Sequence, residues 1–145
     1  MRNEMSIDVA RSAATIFPYI EDTQKLSLWL SGFVTANNTD VQAGLVTGSF
    51  RQLMNFGGRF LRLEGQLAAF EPEKHLAYAI KSQLGDMRVD YRLEETAGHT
   101  RLTYSCETGL HGLIRNLFAP VVHCILQRKI RRDLTRLKEV VEAAA

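Results

Sequence analysis

Met87-Arg88-Val89-Asp90-Tyr91-Arg92-Leu93-Glu94 alternates an apolar and a charged side chain at every step. Period two places Met87, Val89, Tyr91 and Leu93 on one face of a strand and the four charges on the other. A strand of this kind belongs to a sheet with one dry face and one wet face, as antiparallel sheets commonly have. The same pattern recurs on both sides. Downstream, Leu102, Tyr104 and Cys106 oppose Arg101, Thr103 and Ser105. Upstream, Leu76, Tyr78 and Ile80 share a face, and Leu61 and Leu63 alternate with Arg62 and Glu64. Phe50, Gln52 and Met54 are assigned to the dry face of an earlier strand, with Leu53 competing for the opposite side. Gly44, Gly48, Gly57-Gly58, Glu71-Pro72-Glu73, Gly85 and Gly98 punctuate these runs as turns. Residues 33–108 therefore predict an antiparallel meander.

Helices flank the meander. Met5, Ile7 and Val9 alternate with Ser6 and Asp8 as a first strand. Ser12 then offers an N-cap oxygen to a short helix carrying Ile16, Phe17 and Ile20, which Pro18 should shorten or bend. Asp22 is expected to cap a second short helix, with Leu26, Leu28, Trp29 and Leu30 as its apolar surface. At the other end a helical turn is expected around Leu113–Phe118, followed by a long helix from Pro120 to Ala143, since proline suits the first turn of a helix. Val122, Leu126, Ile130, Leu134, Leu137 and Val141 recur along that helix as one apolar stripe. The fold class is α+β. A curved antiparallel sheet of about six or seven strands wraps a long C-terminal helix, in a single domain over residues 1–145.

Composition narrows the functional classes. A chain of 145 residues with 46% apolar and 23% charged side chains can bury roughly two-thirds of its surface without a disulfide or structural metal. No apolar run approaches the ~20 residues that span a bilayer. The opening Met1-Arg2-Asn3-Glu4 lacks a signal-peptide core, so a cytoplasmic location is expected, with Cys106 and Cys124 as reduced, buried thiols. The net charge of +2 hides an asymmetry: 11 basic and 13 acidic side chains in residues 1–110, against seven and three in 111–145. That basic excess reads as the solvated face of the last helix. Nucleic acid is not expected as a partner. Nor is stable membrane insertion, because the core needs the helix's apolar stripe. A homodimer is left open.

Few residues carry recognisable chemistry. Gly57-Gly58 has no phosphate-loop sequence around it, and His75, His99, His111 and His123 show no metal-binding spacing, so neither cofactor nor metal is expected. His75 and His99 fall in turns and should be exposed. Arg62 with Glu64, and Arg88 with Asp90 and Arg92, read as solvent-facing charge pairs. His123, three residues before Leu126 and seven before Ile130, lies along the apolar stripe. It is either a core or boundary histidine or a cavity-facing acid/base, for which an unperturbed pKa near ~6.5 is suited. Tyr78, Tyr91 and Tyr104 share the dry faces of neighbouring strands. They either pack as core or line a pocket, offering rings and hydroxyls to a ligand.

The segment Ser12-Ala13-Ala14-Thr15-Ile16-Phe17-Pro18-Tyr19-Ile20-Glu21-Asp22, running on to Leu28-Trp29-Leu30, resembles the signature of the START-like (SRPBCC, helix-grip) superfamily. That superfamily includes polyketide cyclases/dehydratases and lipid-transfer domains. Gly98-His99-Thr100-Arg101-Leu102 is similar to its usual entry into the last strand, and Arg132-Asp133-Leu134-Thr135-Arg136-Leu137-Lys138 to its C-terminal helix. The chain departs from the commoner pattern in carrying Phe17 where many members have tryptophan. The resemblance implies a cavity between sheet and helix, in which Trp29, Phe50 and Met54 would join Tyr78, Tyr91, Tyr104 and His123 as ligand-binding residues. The expected function is binding of a small apolar or aromatic molecule. The alternative is a cyclase- or dehydratase-like enzyme moving protons through His123 and a tyrosine, although no catalytic motif is recognised.

Overall fold

Strand β1 (Arg2–Val9) leads into helix α1 (Ala13–Glu21) and one 3-10 turn (Leu26–Leu28). Eight strands follow: β2 (Phe33–Asn38), β3 (Val41–Gln42), β4 (Leu45–Val46), β5 (Ser49–Phe56), β6 (Arg59–Glu71), β7 (His75–Ser82), β8 (Gly85–Thr96) and β9 (His99–Leu110). Helix α2 (Gly112–Ala143) closes the chain. The computed structural model describes residues 2–22, 24–38, 41–42, 45–46, 49–56, 58–83, 85–110 and 112–144, with backbone alone at 35–38, 41–42, 45–46, 56, 110, 112–119 and 122. The expected turns at Gly44, Gly48 and Gly57, and His111, lie outside the described residues, as do the side chain of Val122 and those of Leu113–Phe118.

Seven strands form one antiparallel sheet in the order β1-β9-β8-β7-β6-β5-β2, and β3 pairs with β4 as a separate ribbon. Hairpins set the register. Ala97 and Gly98 both take positive φ, 53° and 80°, as a two-residue type I′ turn requires. That turn brings Leu93 opposite Leu102, Tyr91 opposite Tyr104 and Val89 opposite Cys106. Dry positions thus meet dry positions across the ladder, and a slip of one residue would turn every one of them to water. Register shifts in β6, between Leu67 and Ala69, and in β2, between Phe33 and Thr35, are the local irregularities that increase strand twist. The sheet curls into a half-barrel around α2.

Ile130, Leu134, Leu137 and Val141 of α2 are buried with Val9, Ile16, Ile20 and Leu102, while Leu126 is half-buried. Each fully buried aliphatic side chain contributes roughly 1.5–3 kcal/mol. Polar ties fix the ends. Ser12 caps α1, its Oγ accepting from the Thr15 N–H, and Glu95 of β8 accepts from the Ala13 N–H at 2.7 Å. Glu142 near the end of α2 accepts from the Ala10 N–H at 2.9 Å.

Four local expectations are corrected. Pro120 lies inside one continuous helix beginning at Gly112; a proline withdraws a single N–H from the ladder, and here the helix runs on through it. Asp22 is the C-cap of α1, and its Oδ1 accepts from the Gln24 N–H at 2.9 Å instead of capping the next turn. That second helix is a single 3-10 turn, so it has one buried side, holding Leu26 and Trp29, and leaves Leu28 48% exposed. Cys124 is exposed, whereas Cys106 is buried. Among the described residues, no helix is long and apolar enough to cross a membrane.

Candidate functional site

The inner sheet face and α2 do not close fully on each other. They leave a cavity of about 180 Å³ bordered by α1, the segment around Trp29, strands β5 to β9 and the middle of α2. Trp29, Phe50, Met54, Tyr78, Tyr91 and Tyr104 all border it. Each has its own support. The Trp29 Nε1–H donates to the Tyr19 carbonyl at 2.8 Å, which fixes the indole with its edge toward Tyr91, ring centroids 6.5 Å apart. Tyr91 meets Tyr104 edge-on at 5.2 Å, and Phe50 meets Tyr78 at 5.1 Å. These edge-to-face contacts suit the ring quadrupoles. Phe50, Gln52 and Met54 are all buried and turned inward, while Leu53 is half-buried.

Gly65 makes the Phe50 position possible. The two residues face each other across β5 and β6, and a Cβ on Gly65 would lie 2.2 Å from the Phe50 ring. No feature of the local sequence distinguishes this glycine from a turn residue; only the cross-strand pairing does.

His123 is half-buried on α2, one turn before Leu126, which borders the cavity. Among the described residues it is not part of the lining. Two charged groups that were assigned to a solvated helix face stand there instead. The Lys129 Nζ donates to Asp133 Oδ2 at 2.5 Å, and Asp133 Oδ1 accepts from the Ser31 N–H at 3.1 Å. Both residues border the cavity, and Asp133 is only 3% exposed. The signal was present in the sequence: Asp133 stands three residues after Ile130 and four before Leu137, on the apolar stripe itself.

Burial governs the acid–base character of this lining. It pushes the Tyr78 phenol up to about 12, with help from the nearby Glu21 carboxylate. Tyr91 is pushed up further, first by burial and then by Tyr78, Cys106 and Asp133, and Tyr104 well above its ordinary value by burial and then by Cys106, Tyr91 and Asp133. The Cys106 thiol is likewise raised by burial, and the Glu21 carboxyl by burial and then Asp22. The phenols are therefore neutral hydrogen-bond donors near neutral pH.

The outer sheet face holds a second cluster that sequence reading placed in solvent. His75 Nε2 lies 2.8 Å from Asp90 Oδ2, and the Arg88 Nε–H donates to Asp90 Oδ1 at 2.9 Å. Both His75 and Asp90 are mostly covered. The β7–β8 register explains it: Ala77 faces Asp90, leaving His75 diagonal to that carboxylate on one face. Burial would raise the Asp90 carboxyl, but the hydrogen bonds from Arg88 and His75 outweigh it and hold it below the usual carboxylate range. His99 is exposed as expected.

A curled sheet, a long gripping helix and a cavity between them are an arrangement shared with known proteins. The pattern of the family described as polyketide cyclase / dehydrase and lipid transport matches residues 2–142. The chain belongs to that family. The family's architecture recurs in a START superfamily protein from Mycobacterium smegmatis, at 12% identity and TM-score 0.84, covering 97% of each chain. A protein from Thermus thermophilus gives 13% identity and TM-score 0.84 over 100% of this chain and 99% of that one. An aromatase/cyclase from a Streptomyces species gives 15% identity and TM-score 0.81 over 98% and 93%. Identities this low show a shared fold. None of the curated proteins matches this chain.

Proposed function

We propose that this member of the family binds a small apolar or aromatic molecule in the cavity between sheet and α2, without covalent chemistry. The observation that carries the reading is the lining: mostly rings and aliphatic side chains, with Glu21, Gln52, Ser82, Thr108, Lys129, Asp133 and the tyrosines as the polar groups among them. Binding sites for small molecules have this composition. Volume sets the scale of the occupant. A dry cavity of about 150 Å³ accepts benzene, whereas drug-sized ligands occupy roughly 300–1,000 Å³. At about 180 Å³, the occupant is a compact ring system or a short acyl chain.

Native mass spectrometry of the purified protein, and a panel of compact apolar probes read by dye displacement and thermal shift, test this. A probe at a hundred times its Kd should stabilise the fold by about 2.7 kcal/mol. Flat responses across the panel, with no co-purified molecule, would sink the binding reading.

A second reading, cyclase- or dehydratase-like proton transfer, draws support from the family description. His123 does not border the cavity among the described residues, so the reading has to run through groups that do, namely Asp133, Lys129 and the tyrosines. Turnover of a carbonyl substrate that survives His123→Ala and falls by about 10²–10⁴ in a cavity variant would favour it.

A further inference from the structure

We propose that the Lys129–Asp133 pair is the anchor for a carboxylate, so that the cavity selects a small apolar acid over its neutral analogues. This rests on the cavity-binding reading above and adds the class of ligand. An ion pair buried in a wall is weak support for a fold, since well-packed apolar residues of similar volume often serve stability as well or better. Here both charges border a cavity whose lining is mostly apolar. An ammonium has three donors, and one goes to Asp133. Asp133 is held by Lys129 and by the Ser31 N–H.

The surroundings add further donors. Tyr91 and Tyr104 border the same cavity, and burial keeps both hydroxyls protonated, that of Tyr104 being hydrogen-bonded to Cys106. Beside Cys106 in the β1–β9 register stands Asn3, fully buried, with neither amide atom partnered. An unpartnered amide offers an acceptor as well as a donor, so the excess of donors is that of Lys129 itself, whose ammonium has hydrogens beyond the one given to Asp133. A carboxylate is acceptor-only and forms the stronger, charge-assisted hydrogen bonds. Carboxylates border the cavity on both sides, Glu21 from α1 and Asp133 from α2, so among the described lining residues Lys129 is the group that favours a ligand's carboxylate.

Naphthoate, naphthamide and methylnaphthalene share one ring system and differ in the polar end, and calorimetry with each separates anchor from cavity. The wild-type protein should bind naphthoate at least about tenfold more tightly than either neutral probe. Asp133→Asn removes the competing carboxylate yet keeps an acceptor for Ser31; naphthoate should then bind about tenfold more tightly still, with methylnaphthalene unchanged. A purely structural role for the pair would weaken all three probes together. Lys129→Met combined with Asp133→Asn should abolish the preference for the acid. Equal wild-type affinities for the three probes would overturn the anchor while leaving the cavity reading intact. Failure of every probe, methylnaphthalene included, would overturn both. The wild-type comparison needs no variant to fold.

Discussion

Tyr91 concentrates the question of whether this lining binds or merely packs. Its ring meets Trp29 and Tyr104 edge to face, and it borders the same cavity as Asp133. Tyr91→Phe keeps the ring and removes one donor. An aromatic probe bearing an acceptor oxygen should lose about 0.5–1.5 kcal/mol of affinity by calorimetry, with little change in Tm. A stability change without any affinity change would make the phenol plain core. The tyrosines were legible from period two alone, because alternation along a strand decides which face each occupies. Lys129 and Asp133 were legible only in part. The aspartate's place on the stripe could be read by counting, but nothing in a sequence tells whether an acid there reaches a bridging backbone N–H such as that of Ser31.

At the scale of elements, α2 and the β5–β6 pair make opposite demands on packing. Leu134 is 1% exposed, so Leu134→Asp places an unpaired charge in the core and should leave the protein largely unfolded by circular dichroism. Arg132→Ala, on the exposed side of the same helix, should cost under about 0.5 kcal/mol in chemical denaturation. Similar losses from both would mean that the helix presents another face to the sheet. Gly65→Ala tests the other element. The added methyl meets the Phe50 ring, and overpacking of this kind costs roughly 1–3 kcal/mol. Phe50 borders the cavity, so a ring that yields into it should lower probe affinity together with Tm; an unchanged affinity would show that Phe50 relaxes elsewhere.

For the whole molecule, the buried phenols tie stability to alkaline pH. Tyr78 ionises at about 12 in the folded protein against 10.0 for the free group, and Tyr91 and Tyr104 are raised as well. The folded state then holds protons that the unfolded chain releases. Stability is unaffected below about pH 10 and declines as pH rises from there through 12 and beyond. Urea unfolding across that range should show the decline, and a flat profile would place those hydroxyls in water. The order of elements, the dry face of every strand from β6 to β9 and the core stripe of α2 were all determined by the sequence itself. They depend on periodicity and on turn residues, which are local properties of a chain. Tertiary structure alone decided that a cavity of about 180 Å³ remains between sheet and helix, and that Gly65 admits the Phe50 ring. It also decided that His123 does not border the cavity among the described residues, and that the Ser31 N–H reaches Asp133. Those outcomes depend on how far a curled sheet stands from the helix it grips, and that distance is set by side chains far apart in sequence packing against one another.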